Sequence, residues 1–209
     1  MTRSTSAAAQ LPDEVVPTQE RVLSAAARLF RTKGYGATTT REIAAELGIQ
    51  KASLYYHITS KEDVLYRICL GSMREHLDGL HATIEEGNDA VSRLRGAVVG
   101  HMTRLHSDSD RNAVALLELR ALDPKRRASV VRMRDEYEST LKGLIEEAQG
   151  AGDLRSDVDA KYLTLALLSV INWTIFWLRP NGRLTPEQLA DLLSDIYLQG
   201  AGTRPVSSK

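Results

Sequence analysis

Apolar residues recur at helical spacing along most of the chain. Val22, Leu23, Ala26, Leu29 and Phe30 form one stripe, which predicts a first helix from about Thr18, with Lys33 in its last turn and Gly34 as its stop. Thr39, followed three residues on by Glu42, has the form of a capping box. It opens a short helix over 39–47, with Ile43, Ala44 and Leu47 inward and Gly48 as the left-handed residue past its end. A second short helix is predicted over 50–57. Thr59 and Ser60, then Glu62 and Asp63, open a long helix through Val64, Leu65 and Ile68 to about Ile84. Further helices are expected near 88–106, 109–121, 124–149, 158–178 and 186–199. The breaks between them carry Gly, Asn, Asp, Ser or Pro.

Composition supports an all-α fold. The 209 residues are 43% hydrophobic but only 5% aromatic, and they are rich in the helix formers Ala, Leu, Arg and Glu. The segment 1–17 has no apolar core, so it reads as a disordered arm rather than a signal peptide. The longest uncharged stretch, Tyr162 to Leu178, is shorter than the ~20 residues of a bilayer span and is broken by Thr164, Ser169, Asn172 and Thr174. No membrane partner is expected. The single cysteine, Cys69, excludes an internal disulfide and fits a reducing, cytoplasmic setting.

Charge narrows the partner. The 27 basic and 27 acidic residues cancel, so nucleic-acid binding needs a local patch. Between Thr18 and Arg67 there are eight lysines and arginines against five acidic residues. That excess is modest, so one such module binds weakly, whereas two on a dimer axis double the phosphate contacts.

The order helix, glycine turn, helix over 39–57 is that of a helix-turn-helix, whose second helix lies in the major groove while the first braces it. The second helix needs a few inward apolar anchors, here Leu54 and Ile58. Its outer face must be polar enough to meet base edges, which Lys51, Ser53, Tyr55, Tyr56 and His57 satisfy.

The stretch from Thr18 to Leu70, centred on TTTREIAAELGIQKASLYYHITSKEDVLYRI, resembles the DNA-binding domain of the TetR family of repressors. The resemblance implies a three-helix DNA-binding domain over 18–66 and a helical ligand-binding and dimerisation domain over 67–202, followed by a disordered tail over 203–209. It also implies a homodimer on palindromic double-stranded operator DNA. Thr39, Thr40 and Arg41 would reach phosphate from the bracing helix. Lys51, Ala52 and Ser53 would read bases, Tyr55 and Tyr56 would meet phosphates or thymine methyls, His57 would contact phosphate, and Lys61 would clamp the DNA backbone.

The segment 158–178 is apolar nearly all round, and 186–199 is amphipathic. Both resemble the helices of the family's four-helix dimer interface, while an intramolecular core is the competing reading. Segments 118–138 and 172–200 resemble a TetR subgroup that controls fatty-acid and sterol breakdown and is released by acyl-CoA thioesters. That resemblance implies a small apolar effector, with an acyl-CoA as the candidate. The pocket candidates are Arg120, Arg134, Tyr137, Asn172, Trp173, Phe176 and Trp177. Arg120, Arg126, Arg127, Arg132 or Arg134 could grip CoA phosphates, or could form exposed pairs with Glu118, Asp135, Glu136 and Glu138.

Neither catalysis nor a bound cofactor is expected. Phosphate-loop, dinucleotide and Gly-x-Ser-x-Gly patterns are missing from the sequence. His76 and His81, and His101 and His106, are five apart, whereas a helical metal pair needs three or four. The competing function is a DNA-binding architectural or partner-regulated protein of the same fold, which takes no small ligand. A collapsed C-terminal core would favour it.

Overall fold

Helix starts coincide with side chains that can accept from otherwise unpaired backbone N–H groups. In the computed structural model, which describes residues 18–86, 88–179 and 181–202, Thr18 accepts from Arg21 N ahead of α1 (Gln19–Lys33). Thr39 and Glu42 form the expected capping box of α2 (Thr40–Glu46). Asp89, Asp108, Asp123 and Asp159 cap α5 (Ala90–Ser107), α6 (Ser109–Leu117), α7 (Pro124–Ala151) and α8 (Ala160–Trp173). A second capping box, Thr185 with Gln188, opens α9 (Pro186–Ala201). Such caps contribute about 1 kcal/mol each. The predicted arm over 1–17 and tail over 203–209 lie outside the described residues.

Between these lie α3 (Lys51–Leu54) and α4 (Lys61–Glu86). At 26 residues, α4 is roughly 39 Å long, from a rise of about 1.5 Å per residue. Its first turns, with Val64, Leu65, Ile68 and Cys69, pack into the N-terminal core around Phe30, Ile43 and Leu54. Its later turns, with Leu77 and Leu80, pack into a second core with Leu94, Met102, Leu141, Ile145, Leu167 and Ile171. The helix is thus a shared beam. The N-terminal core also takes in Val114, Leu119, Leu122 and Val130, so α6 and α7 contribute to it from beyond residue 66.

Three expectations change. The helix predicted over 50–57 is regular only from Lys51 to Leu54; Tyr56 N and His57 N then bond to Ser53 O and Leu54 O, three residues back, which tightens the end into a turn. The helix predicted over 109–121 breaks at Glu118 into a 3-10 turn, Leu119–Ala121. The helix predicted over 158–178 stops at Trp173 and passes into a 3-10 turn, Thr174–Phe176, where the Thr174 hydroxyl donates to Ile171 O at 2.6 Å. Within the single chain α8 buries one face. Ala160, Thr164, Leu167 and Ile171 face the core, while Tyr162, Val170 and Trp173 are exposed.

No helix among the described residues is long and apolar enough to cross a membrane. Among the same residues no three His, Cys, Asp or Glu side chains cluster as metal ligands would. Cys69 is buried, which pushes its thiol up to about 12 and leaves it a packing residue.

Candidate DNA-binding face and effector cavity

Leu54 and Ile58 anchor the α3 segment in the core. With those two inward, Lys51, Ala52, Ser53, Tyr55 and Tyr56 point outward. Tyr56 is 87% exposed, far more than core packing would allow a tyrosine. Its ring meets His57 edge-on at 5.3 Å. The Tyr55 hydroxyl lies 3.3 Å from Thr40 Oγ1, and the Lys51 ammonium sits 5.7 Å from the Tyr55 ring centre. Thr40, Lys51 and Tyr55 therefore join α2 to α3 along one polar face, with Arg41 exposed on α2.

Two predicted contact residues have other structural duties. Thr39 accepts from Glu42 N and donates its hydroxyl to Glu42 Oε2 at 2.9 Å. The Glu42 carboxyl is held down to about 2, first by its hydrogen bond from Lys33 and then by those from Thr39. Lys61 does not reach outward as a phosphate clamp would. Its ammonium donates to Tyr35 O and Thr38 O at 2.8 Å and Gly36 O at 3.3 Å, and lies 4.3 Å from the centre of the Tyr35 ring. Three donors meet three carbonyls, so Lys61 fixes the turn between α1 and α2.

The second site is a cavity of about 460 Å³, within the range of small-molecule sites (roughly 300–1,000 Å³). Residues of α4, α5, α6, α7 and α8 line it, and Phe176 of the 3-10 turn closes one side. Of the predicted pocket residues, Arg134, Tyr137, Asn172, Trp173 and Phe176 line it together. Arg120 and Trp177 do not; both are exposed elsewhere. Arg126 pairs with Glu62 and Asp123 and covers the Tyr66 ring. Apolar walls come from Met73, Leu105, Leu116, Val130 and Leu168, and the rim from the exposed Arg134, Leu117, Leu165 and Trp173.

The cavity floor is polar, and its two histidines are site residues that sequence reasoning misses. His76 and His101 stack with ring centres 4.6 Å apart, although 25 positions separate them in sequence. His101 Nδ1 lies 2.9 Å from the Tyr137 hydroxyl, and Nε2 lies 3.1 Å from Asn172 Oδ1. Burial holds His76 down to about 4 and His101 well below its ordinary value, so both rings are neutral near pH 7. The available signal is weak: His101 sits on the apolar stripe of Leu94, Val98, Met102 and Leu105, where a polar residue needs a reason.

The two sites are mechanically joined. Arg31 of α1 pairs with Asp110 of α6 at 3.1 Å and donates to Ile175 O at 3.3 Å. Arg111 of α6 donates to Glu20 O, Glu20 Oε2 and Ser24 Oγ of α1. Glu118, at the break after α6, accepts from Tyr35 N in the turn between α1 and α2.

Residues 22–68 match the family model described as bacterial regulatory proteins, tetR family. Residues 87–201, more than half of the chain, match the model described as tetracyclin repressor-like, C-terminal domain. The chain belongs to the TetR family of transcriptional regulators. Family members act by regulating transcription rather than by catalysis, in keeping with the absence of a catalytic motif in the sequence. The transcriptional repressor KstR2 of Rhodococcus jostii is 30% identical over 183 residues, covering 86% of this chain and 88% of that protein. Among solved structures, PfmR of Thermus thermophilus superposes with a TM-score of 0.80 at 31% identity, over 88% of this chain and all of that one. AibR, crystallised with isovaleryl coenzyme A and operator DNA, superposes with a TM-score of 0.77 at 29% identity, over 85% of this chain and 96% of that one.

Proposed function

We propose that this family member is a repressor that binds palindromic operator DNA as a homodimer and is released when a coenzyme A thioester enters the cavity. The observation that carries the reading is the route from cavity to DNA face: Phe176 lines the cavity, and Ile175 beside it is held by Arg31 of α1. An acyl chain seated against Phe176 and Trp173 would shift the 3-10 turn. α1 follows that turn, and with it the α2–α3 face. Arg134 at the rim supplies the cation for a CoA phosphate, and the apolar walls suit the acyl part. AibR, of similar sequence and fold, binds such a thioester. An open cavity also argues against the ligand-free alternative, which calls for a collapsed core.

Dimerisation is supported by the apolar residues that α8 and α9 leave uncovered. Val170 and Trp173 on α8, and Leu192 and Ile196 on α9, are each 46% to 64% exposed in the single chain. Exposed apolar patches of this kind mark interaction surfaces. Two chains would place two α3 faces about one DNA turn, or a multiple of it, apart.

The test is release of a fluorescent operator duplex by CoA thioesters of increasing acyl length, with free CoA as control. Release at one range of lengths and not by free CoA is expected. A duplex that stays bound at every length would contradict the effector assignment.

A further inference from the structure

The cavity is walled on the inside and open on one side. Leu105, Asn112, Val130 and Tyr137 of its inner wall are buried. Leu117, Leu165, Trp173 and Phe176 at its mouth are 38% to 64% exposed, although all four are large and hydrophobic. A site that holds a small molecule buries most of the ligand's surface. An apolar mouth that faces water leaves part of the ligand, and its own rim, in solvent.

The mouth is one edge of a larger uncovered face. The exposed positions of α8 between its ends are Tyr162, Leu165, Ala166, Ser169, Val170 and Trp173, spaced by three and four so that they share one side of the helix. Leu165, Ser169 and Trp173 line the cavity, whereas Tyr162, Ala166 and Val170 do not. The two sets lie side by side along the helix, so a body seated on Val170 also reaches the mouth. No residue from Tyr162 to Trp173 carries a charge. The Ser169 hydroxyl is taken up by Leu165 O, 2.7 Å away, and adds no polar demand to the face. Ala166 and Ser169 are small, which lets a second helix approach closely. A face without charge, small in the middle and aromatic at both ends, has the make-up of an interface core. It continues onto α9, which packs beside α8 and carries the exposed Leu192 and Ile196. A twofold axis through it sets the same patch of a second copy against it.

We propose that the effector cavity is completed by the second chain: the partner's helices cap the mouth at Leu165, Ser169 and Trp173, and the effector binds the dimer rather than the single chain. This rests on the proposed dimer through α8 and α9 and, for the ligand, on the reading of the cavity as the effector site. The acyl part then lies against both subunits. Linkage makes the effect reciprocal, so an effector that prefers the dimer also holds the two chains together. Release from operator is then a change within an intact dimer and not its dissociation.

The experiment compares the full chain with Ile196→Glu, a substitution on α9 outside the cavity lining. Circular dichroism and light scattering establish that the variant is a folded single chain; Leu192→Glu, alone or added to it, serves if it is not. The first readout needs no effector. Ser169→Cys is placed in both backgrounds, where the native Cys69 is buried. A water-soluble maleimide should label the introduced thiol about tenfold or more slowly in the dimer than in the single chain. Equal rates would overturn the proposal, because an uncovered mouth exposes that position in both. A full chain that is itself single at micromolar concentration would overturn it together with the dimer. The second readout is calorimetric titration with butanoyl-, octanoyl- and dodecanoyl-CoA. The thioester that binds the full chain most tightly should bind Ile196→Glu about tenfold or more weakly. Equal affinity for both would overturn the proposal while leaving the effector reading intact. Slow labelling of the dimer with no binding by any thioester would support the closed mouth and overturn the effector reading instead.

Discussion

Arg31 of α1 donates from Nη2 to the carbonyl oxygen of Ile175, 3.3 Å away, and the next residue, Phe176, forms part of the cavity wall. One guanidinium therefore ties α1 to the wall of the cavity. It is also paired to Asp110, and both partners are about one-third exposed. Exposed pairs of this sort contribute only about 0–1 kcal/mol to stability. Arg31→Ala should accordingly shift Tm by no more than about 3 °C and leave operator affinity in the absence of effector nearly unchanged. The effector concentration for half-maximal release should rise about fivefold or more, because the coupling energy is what the substitution removes. Fluorescence anisotropy of labelled operator, with and without thioester, reads both quantities.

Tyr56 and Lys61 should fail in different ways when truncated. Tyr56 is 87% exposed and holds nothing together, so Tyr56→Ala should leave Tm unchanged and weaken operator binding about tenfold. Lys61 is bonded to three carbonyls of the turn between α1 and α2. Lys61→Met should lower Tm and weaken operator binding through misplacement of α2, with the salt dependence of binding unchanged. Loss of a direct phosphate contact would instead reduce the slope by about one ion per subunit, as expected for Lys51→Met.

Acid should destabilise the protein in two successive, partly overlapping steps. His76 titrates near 4 in the fold against about 6.5 when unfolded, because burial disfavours its charged form. The unfolded chain therefore takes up a proton first. The stability from this group is complete above about pH 6.5 and is lost as pH falls toward 4, by about 3 kcal/mol in all. His101 shifts in the same direction. Glu42, held near 2, contributes only above its ordinary range near 4.5 and loses that contribution between 4.5 and 2. Urea midpoints should fall between pH 6.5 and 5, and His76→Gln should make that fall shallower. A midpoint constant over this interval would contradict the buried neutral pair.

Charge placed on the uncovered faces should separate two chains without unfolding either. Val170→Glu and Ile196→Glu alter side chains that are 50% and 59% exposed in the single chain. Helicity should be unchanged, the mass by light scattering should fall to that of one chain, and operator binding should be lost with the second half-site. Leu168 and Leu193 are unsuitable for this purpose, since both pack against the C-terminal core.

The elements legible in the sequence are those whose signals are local. The Thr39–Glu42 capping box, the Gly34 stop and the Leu54 and Ile58 anchors all act within a few residues, and the structure shows each of them. What is not legible depends on contacts distant in the chain. The break at Glu118 goes with its bond to Tyr35, 83 positions away. The stop of α8 at Trp173 goes with Thr174, whose hydroxyl meets His106, 68 positions earlier. The pairing of His76 with His101 arises only where α4 packs on α5, so spacing within one helix gives no hint of it. The family resemblance gives Lys61 a phosphate contact, and nothing in its own helix reveals the three carbonyls that meet it in the free chain.

In the proposed function, the outward face of α3, presented twice by a dimer, reads operator DNA. The most direct measurement is selection of binding sites from random-sequence duplex by the purified chain, followed by measurement of stoichiometry on the winning sequence. Enrichment of two inverted half-sites, bound by two chains and lost with Tyr56→Ala, is the predicted result. An enriched site without twofold symmetry, or no enrichment at all, would contradict it.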